Sequence, residues 1–173
     1  MAAPAESPIV VTGNVQQMSI ETPTPDDGAA CWRLAEATGV LDVNSRYAYL
    51  LWFRDFADTS VVARIDGQVA GFISGYRRPA RPTTLMIWQV AVAAEARGRG
   101  VAGAMLDALW DRVPGTDHLE TTVTPDNAGS VALFTRFADR HSADLSRREL
   151  FGSDVLGGGH EPEILFRIGP IHN

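Results

Sequence analysis

Apolar positions in the first third of the chain recur three and four residues apart, which predicts two amphipathic helices. The first helix follows the proline and acidic start at Pro25-Asp26-Asp27 and ends at Gly39, and its apolar positions are Cys31, Leu34 and Ala35. A connector over residues 40–45 supplies Asn44 or Ser45 as a cap for the second helix. The apolar face predicted for that helix contains Tyr49, Leu50, Phe53 and Phe56.

From Thr59 the pattern changes to one typical of strands. Residues 59–65 and 68–76 are rich in β-branched and aromatic side chains, and Asp66-Gly67 between them is a pair favoured in two-residue hairpin turns. An antiparallel hairpin is therefore expected. A proline-rich loop is predicted over 77–82, and the nearly continuous apolar run 83–92 predicts a central strand covered on both faces.

The remaining pattern alternates between helix and strand. After a glycine-containing loop, one helix is predicted with the apolar positions Ala102, Met105, Leu106, Leu109 and Val113. A strand over 119–123 precedes a helix that starts at Pro125-Asp126 and packs through Val131, Leu133, Phe134 and Phe137. Short strands are also expected over 19–22, 148–151 and 164–168, with Gly157, Gly158 and Gly159 between the last two. Together these elements predict one mixed α/β domain over 19–170, preceded by a flexible tail over 1–18.

Composition narrows the classes of function. At 173 residues and a net charge of −6, with basic residues scattered along the chain, broad nucleic-acid binding is disfavoured and small cationic partners are favoured. No apolar run approaches the roughly 20 residues needed to cross a bilayer, and the start resembles no signal peptide. Cys31 is the single cysteine, which leaves no internal disulfide and no cysteine-based metal cage. We expect a cytoplasmic protein without a metal.

The glycine loop is the strongest chemical signal. Gly98 and Gly100 remove side chains where a strand-like run gives way to a helix, and the unpaired N–H groups of a first helical turn bind anions. Arg97 and Arg99 add positive charge beside them. This arrangement predicts a phosphate-binding loop.

Two other phosphate-binding motifs compete for this loop. Gly98, Gly100 and Gly103 satisfy the dinucleotide pattern G-x-G-x-x-G, and Glu120 lies where an acid that binds ribose is expected. Residues 93–97 separate the first glycine from the strand, however, and the hairpin upstream leaves too few parallel strands for a dinucleotide fold. The ATP-binding P-loop is excluded because no Gly-Lys-Ser/Thr follows. An ordinary turn with surface arginines is the alternative without a ligand.

The surrounding residues resemble motif A of the GCN5-related N-acetyltransferases (GNAT), whose R/Q-x-x-G-x-G/A loop binds the pyrophosphate of acetyl-CoA. The first position differs, since Glu95 or Ala94 stands there. The resemblance implies an α/β (α+β) GNAT fold, a mixed and mainly antiparallel sheet with flanking helices, in which the strands at Val90–Val92 and 119–123 splay apart around the pantetheine arm. It implies acetyl-CoA as co-substrate, bound by Val90, Ala91, Val92, Arg97, Gly98, Arg99, Gly100, Val101, Ala102, Asn127 and Ser130.

Three further segments, 40–51, 85–92 and 119–127, are similar to the L-2,4-diaminobutyrate acetyltransferases of ectoine biosynthesis. That resemblance implies transfer of acetyl to the γ-amine of diaminobutyrate, a role in osmotic stress, and a homodimer. Acetylation of another small amine or amino acid, and a CoA-binding module without catalysis, are the alternative functions.

The chemistry of amine acetylation suggests roles for the remaining polar residues. A free alkyl amine has a pKa near 10.4, so a base must take its proton; the candidates are His160, Glu161 and Glu163. Asp42 and Trp88 suit the substrate's cationic group, while Asn44, Ser45 and Tyr47 suit its polar groups. A backbone N–H near Ala91 or Val92 suits the developing oxyanion. Capping, core packing or an exposed loop explains each of these residues equally well without a ligand.

One position departs from the family pattern. Many relatives carry a tyrosine that protonates the leaving thiolate, and Phe134 stands in the matching segment. The donor is then water or another tyrosine such as Tyr47.

Overall fold

The computed structural model describes residues 17–157 and 159–171, so most of the predicted tail and Gly158 lie outside the described residues. Seven strands form one sheet in the order β1-β2-β3-β4-β5-β7-β6, in which only the β4–β5 pair is parallel. The strands are Met18–Glu21 (β1), Val61–Ile65 (β2), Gln68–Arg78 (β3), Arg81–Val92 (β4), His118–Val123 (β5), Leu145–Phe151 (β6) and Glu163–Ile168 (β7).

Four helices cover the two faces of this sheet: Gly28–Thr38 (α1), Arg46–Asp55 (α2), Val101–Arg112 (α3) and Ala128–Arg140 (α4). The period-2 alternation of the strands separates two cores. Val61 and Ile73 pack with α3 and α4, whereas their neighbours Val62 and Phe72 pack with α1 and α2. None of the helices in the described part of the chain is long and apolar enough to cross a membrane.

The predicted hairpin turn and the predicted end of α1 are confirmed, whereas the extents of several other elements differ from prediction. Asp66 and Gly67 both have positive φ in the β2–β3 turn, and Gly39 ends α1 in the left-handed conformation at φ 66°. The predicted loop over 77–82 is wrong, because β3 continues to Arg78 and β4 begins at Arg81. Proline at position 82 is tolerated near a strand end, where its missing N–H breaks few ladder bonds.

The predicted apolar face of α2 is only half correct. Tyr49 and Phe53 are buried, but Leu50 is 38% exposed and Phe56 is 41% exposed at the end of the helix. α4 begins after Asn127, not at Pro125, because the Asn127 side chain caps it by accepting a 3.0 Å hydrogen bond from the Ser130 N–H. β6 begins at Leu145, three residues before its predicted start.

The central parallel pair separates part-way along its length. β4 and β5 pair from Thr84 with His118 to Ile87 with Thr121, and no pairing follows beyond that point. The predicted splay is therefore present, although it begins after Thr121 and leaves the first four of the six residues of β5 paired. The edge of β4 that faces β5 over Trp88–Val92 is left without a strand partner.

A β-bulge lies where the splay begins. Gln89 pairs with Ser74 and Ile87 pairs with Gly75, so Trp88 is the extra residue of β4. The backbone approaches closely here, since a Cβ on Gly75 would lie 2.8 Å from the carbonyl oxygens of both Met86 and Thr59. Glycine at position 75 thus permits the bulge that displaces Trp88 from the regular alternation.

Candidate active site

The splay opens into a cavity of about 930 Å³. Its walls come from β4, the glycine loop, the start of α3, the end of β5 and the first turns of α4, with Val40 and Leu41 of the α1–α2 loop at one side. A cavity of this size accommodates a large cofactor or substrate. The described residues contain no group of three or more potential metal ligands.

The glycine loop leads directly into this cavity. Gly98 and Gly100 have φ of 73° and 78°, and a Cβ on either would meet no atom within 4 Å. Gly100 is the N-cap of α3, and the first intrahelical bond runs from the Ala104 N–H to its carbonyl. The N–H groups of the first turn of α3 are thus available to an anion, as the sequence predicted.

Nearly all of the residues predicted to bind the cofactor line this one cavity. Arg97 does so while its Nε donates a 3.2 Å hydrogen bond to the Val92 carbonyl, which ties the loop to the end of β4. Arg99 does not contribute to the lining. The other predicted residues that line the cavity are Val90, Ala91, Val92, Gly98, Gly100, Val101, Ala102, Asn127 and Ser130.

The cavity also contains polar residues that sequence reasoning missed. Arg136 and Arg140 lie on its α4 wall, and Arg140 forms a 2.7 Å ion pair with Asp107 of α3. Thr121 and Thr122 contribute from the end of β5. The two arginines recur four residues apart on one face of α4, which is the spacing that could have revealed them.

Phe134 lies on the cavity wall and is 1% exposed. The residue predicted to replace the usual tyrosine is therefore in the cavity, where its ring offers no proton donor.

Trp88 connects the cavity to the predicted amine-binding residues. It lines the cavity, is 44% exposed, and its ring centroid lies 4.4 Å from that of Trp52 in α2. The bulge thus presents an aromatic face where the splay begins, and such a face can bind a cation.

The α1–α2 loop is held over this region by two side-chain donors. Gln89 Nε2 donates to the Asp42 carbonyl at 3.0 Å, and Trp32 Nε1 donates to the Asn44 carbonyl at 3.0 Å. Ser45 caps α2, accepting from the Ala48 N–H at 3.3 Å, and Tyr47 is 68% exposed. Capping therefore accounts for Ser45 at least in part, and the Asp42 side chain is exposed to solvent.

The candidate bases lie outside the cavity wall. His160 and Glu161 are exposed, and Glu163 is half-buried as the first residue of β7. Because Ile164 pairs with Val123, this segment lies at the end of β5 at which the central strands diverge. The candidate bases thus lie near the end of β5 at which the cavity opens but do not line the cavity.

Glu120 has a structural partner on each carboxylate oxygen. Oε2 accepts from Arg78 at 2.8 Å and Oε1 accepts from Arg167 at 2.5 Å, while the side chain is only 3% exposed. The role in ribose binding that the dinucleotide motif required of Glu120 is therefore excluded by these two ion pairs.

Comparison with known proteins agrees with this geometry. The acetyltransferase (GNAT) family profile matches residues 28–138, which include the glycine loop, the bulge and most of the cavity wall. The chain belongs to the GNAT acetyltransferase family. Acetyl-CoA is the co-substrate of GNAT enzymes.

Two relatives within the GNAT family match nearly the whole chain. The L-2,4-diaminobutyric acid acetyltransferase of Streptomyces coelicolor is 51% identical over 93% of this chain and 98% of its own. The same enzyme of Nocardia farcinica is 46% identical, covering 97% of this chain and 88% of its own. Similarity of this extent includes the α1–α2 loop and β4 as well as the GNAT cofactor loop.

A solved GNAT structure shares the complete architecture. The diaminobutyrate acetyltransferase of Paenibacillus lautus, in complex with L-2,4-diaminobutyric acid and coenzyme A, superimposes with a TM-score of 0.88 at 40% identity. The match covers 91% of this chain and 98% of that one. The GNAT fold expected from the sequence, a mixed and mainly antiparallel sheet with a central splay, is thereby confirmed.

Proposed function

We propose that this GNAT enzyme transfers the acetyl group of acetyl-CoA to the γ-amino group of L-2,4-diaminobutyrate. The observation that carries the proposal is the overlap with the P. lautus enzyme, which is in complex with L-2,4-diaminobutyric acid and coenzyme A and matches at a TM-score of 0.88. Relatives named for the same activity match over nearly their whole length, up to 51% identity. The substrate is a small cation at neutral pH, which suits the acidic chain.

Transfer proceeds by direct attack of the amine on the thioester while both molecules are bound. The glycine loop and the first turn of α3 hold the pyrophosphate, and the open edge of β4 over Val90–Val92 accepts the amide groups of the pantetheine arm. The thioester then lies near Trp88, where the splay begins. A backbone N–H of β4 near Ala91 or Val92 stabilises the oxyanion that forms when the amine attacks.

The amine group is placed by the bulge and the α1–α2 loop. Trp88 offers its ring to the ammonium form from the cavity wall. Asp42, Asn44, Ser45 and Tyr47 lie outside that wall, on the α1–α2 loop and the start of α2, and supply a negative charge and polar groups. Trp88→Ala and Asp42→Ala should each raise the KM for diaminobutyrate and leave the KM for acetyl-CoA nearly unchanged. Unfolding of both variants instead would assign the two residues to stability alone.

A carboxylate or imidazole before β7 removes the amine proton. His160 and Glu161 precede β7 and Glu163 is its first residue, next to the diverging end of β5. Glu161→Gln, Glu163→Gln and His160→Asn are compared by the pH dependence of kcat/KM. The variant that lacks the true base should show a kcat/KM lower by about 100-fold or more, and the acidic limb of its pH profile should disappear. The other two variants should keep that limb.

The thiolate departs without a tyrosine at position 134. A thiol pKa of about 8 to 9 makes CoA a good leaving group, so water or Tyr47 suffices as its proton donor. The absence of a hydroxyl at Phe134 also favours one alternative, a protein that binds CoA without turnover.

One assay separates these possibilities. The purified protein is incubated with acetyl-CoA and a panel containing diaminobutyrate, ornithine, lysine and polyamines, and thiol release is followed together with product mass. Fastest release with diaminobutyrate, and a product heavier by one acetyl group, support the proposal. Faster thiol release with another amine would show that this amine, and not diaminobutyrate, is the substrate. CoA binding without thiol release in the presence of any amine would indicate a binding module.

We further propose a single cytoplasmic domain over 19–170 that acts as a homodimer in ectoine synthesis under osmotic stress. Large apolar side chains on the surface, including Val43, Leu50 and Phe56, support self-association. Light scattering coupled to gel filtration measures the mass. A charge introduced by Phe56→Glu should shift a dimer towards the monomer, while Val155→Glu, a change at a similarly exposed apolar residue on the β6–β7 connection, serves as its control.

A further inference from the structure

A second, much smaller cavity lies beside the acetyl-transfer site. It is a recess of about 10 Å³ between α2 and the bulge, and we call it the α2 recess. Trp88 lines both the recess and the large cavity. The residues that matter for its chemistry are Asn44, Tyr49, Trp52, Ser74, Trp88 and Gln89.

Unpaired polar atoms are concentrated at this recess. Among the described residues, four buried side-chain nitrogen or oxygen atoms make no hydrogen bond of normal geometry with another protein group. Three of these atoms, Tyr49 Oη, Trp52 Nε1 and Ser74 Oγ, belong to residues that line the α2 recess. Buried polar atoms in native proteins nearly always have a partner, so three in one place indicate a bound polar group.

The size of the recess limits what that group is. A volume of about 10 Å³ corresponds to roughly one water-sized probe, whereas a carboxylate or an amino acid needs several times more. A buried water makes about three hydrogen bonds, which equals the number of unpaired atoms. The indole N–H donates to a water oxygen, and each hydroxyl can donate or accept, so the three groups together satisfy one water.

We propose that the α2 recess binds one water molecule through Tyr49, Trp52 and Ser74, and that this water fixes the bulge residues that position the amine substrate. Tyr49 and Ser74 are only 5% and 3% exposed, so their hydroxyl groups are shielded from bulk solvent and depend on a partner inside the recess. Burial raises the pKa of Tyr49, against weak hydrogen bonding from the Gln89 side chain and the Asn44 backbone, neither of which reaches the Tyr49 hydroxyl with normal hydrogen-bond geometry. The phenol therefore stays protonated and able both to donate and to accept.

The register of the sheet connects this water to the substrate loop. Ser74 pairs with Gln89, the residue that follows Trp88 in the bulge and donates to the Asp42 carbonyl. On the other side, Trp52 contacts the Trp88 ring. The water therefore connects α2 with the two β4 residues Trp88 and Gln89. Tyr49, Trp52 and Ser74 are thus positioning residues, which act on the amine substrate through Trp88 and Gln89.

The position of the water is tested directly by a crystal structure of the full chain at a resolution that shows ordered solvent. A single peak within hydrogen-bonding distance of Tyr49 Oη, Trp52 Nε1 and Ser74 Oγ is expected in the wild type and should be absent from Ser74→Ala. A wild-type recess closed by direct side-chain hydrogen bonds would overturn the proposal. This readout needs no substrate, so it stands or fails separately from the proposed function.

The positioning role is tested by kinetics, and this part rests on diaminobutyrate being the substrate. Tyr49→Phe and Ser74→Ala each remove one hydroxyl, and the KM for diaminobutyrate should rise about three- to tenfold. The kcat and the KM for acetyl-CoA should stay within about twofold, and Ser74→Thr, which keeps a hydroxyl, should recover part of the loss. Tyr76→Phe is the matched control, because Tyr76 contacts the same Trp52 ring but does not line the recess. Equal KM changes for both substrates, or an equal effect in the control, would refute a positioning role.

Discussion

The side chain of Gln89 in β4 donates a 3.0 Å hydrogen bond to the backbone carbonyl of Asp42, 47 residues earlier in the chain. Gln89 is 5% exposed, so this bond is shielded from water and fixes the α1–α2 loop against the bulge. Gln89→Leu keeps the approximate volume but removes the donor. The KM for the amine substrate should rise about two- to tenfold with an unchanged KM for acetyl-CoA. Gln68→Leu, at an exposed strand position, should change neither value.

Gly100 provides a second test, this time of the cofactor loop. Alanine at φ 78° is strained by about 1 kcal/mol, and its methyl group would project into open space at the cavity wall. Gly100→Ala should therefore lose stability and also bind acetyl-CoA less tightly, as measured by calorimetry. Gly115→Ala carries the same strain at φ 72° outside the cavity, so it should lose similar stability and bind acetyl-CoA normally. Equal affinities in the two variants would show that the loop does not contact the cofactor.

The Arg78–Glu120–Arg167 cluster predicts a large effect on stability. Glu120→Gln leaves two guanidinium groups facing a neutral side chain, and the free energy of unfolding in urea should fall by about 2 to 3 kcal/mol. This range lies below the roughly 3 to 5 kcal/mol for breaking a fully buried pair, because the side chains of Arg78 and Arg167 are 34% and 27% exposed. Asp55→Asn breaks the exposed ion pair with Arg54 and should cost less than about 1 kcal/mol.

The buried thiol of Cys31 predicts that the stability of the fold decreases at alkaline pH. Burial, together with the nearby Asp27 carboxylate, holds the pKa of this thiol well above its usual range, so the folded protein keeps it protonated. The unfolded chain ionises near its usual pKa of about 8.5. The thiol's contribution to stability is thus complete below about pH 8.5 and declines above it.

Unfolding midpoints between pH 7 and pH 10 measure this effect, with Cys31→Ala as the control, whose decline over the same range should be smaller. At pH 8 a thiol reagent should modify the native protein far more slowly than the urea-unfolded chain. Rapid labelling of the native protein would contradict the burial of Cys31.

The sequence predicted most elements because their signals are local. The Asp66-Gly67 turn, the Gly39 helix end and the glycine loop each depend on backbone conformations that a few residues dictate. The extents of β3 and β4 near Pro82 were not predictable in this way, since strand length depends on pairing between the two strands, and local turn signals suggested a longer loop.

The lining of the large cavity was predicted better than the α2 recess, for a physical reason. Val90, Gly98 and Asn127 follow a contiguous motif or a helix cap, whereas the recess at Tyr49 and Ser74 forms only when α2 packs on β3. The bulge at Trp88 likewise depends on the close backbone approach at Gly75. Sequence spacing contains neither of these contacts.

The α1–α2 loop borders both cavities. Val40 and Leu41 line the large cavity, while Asn44, three residues later, borders the α2 recess. The hydrogen bonds from Gln89 to the Asp42 carbonyl and from Trp32 to the Asn44 carbonyl already order this loop within the chain. A ligand that contacts the loop therefore loses little free energy to ordering it, which favours tight binding through preorganisation.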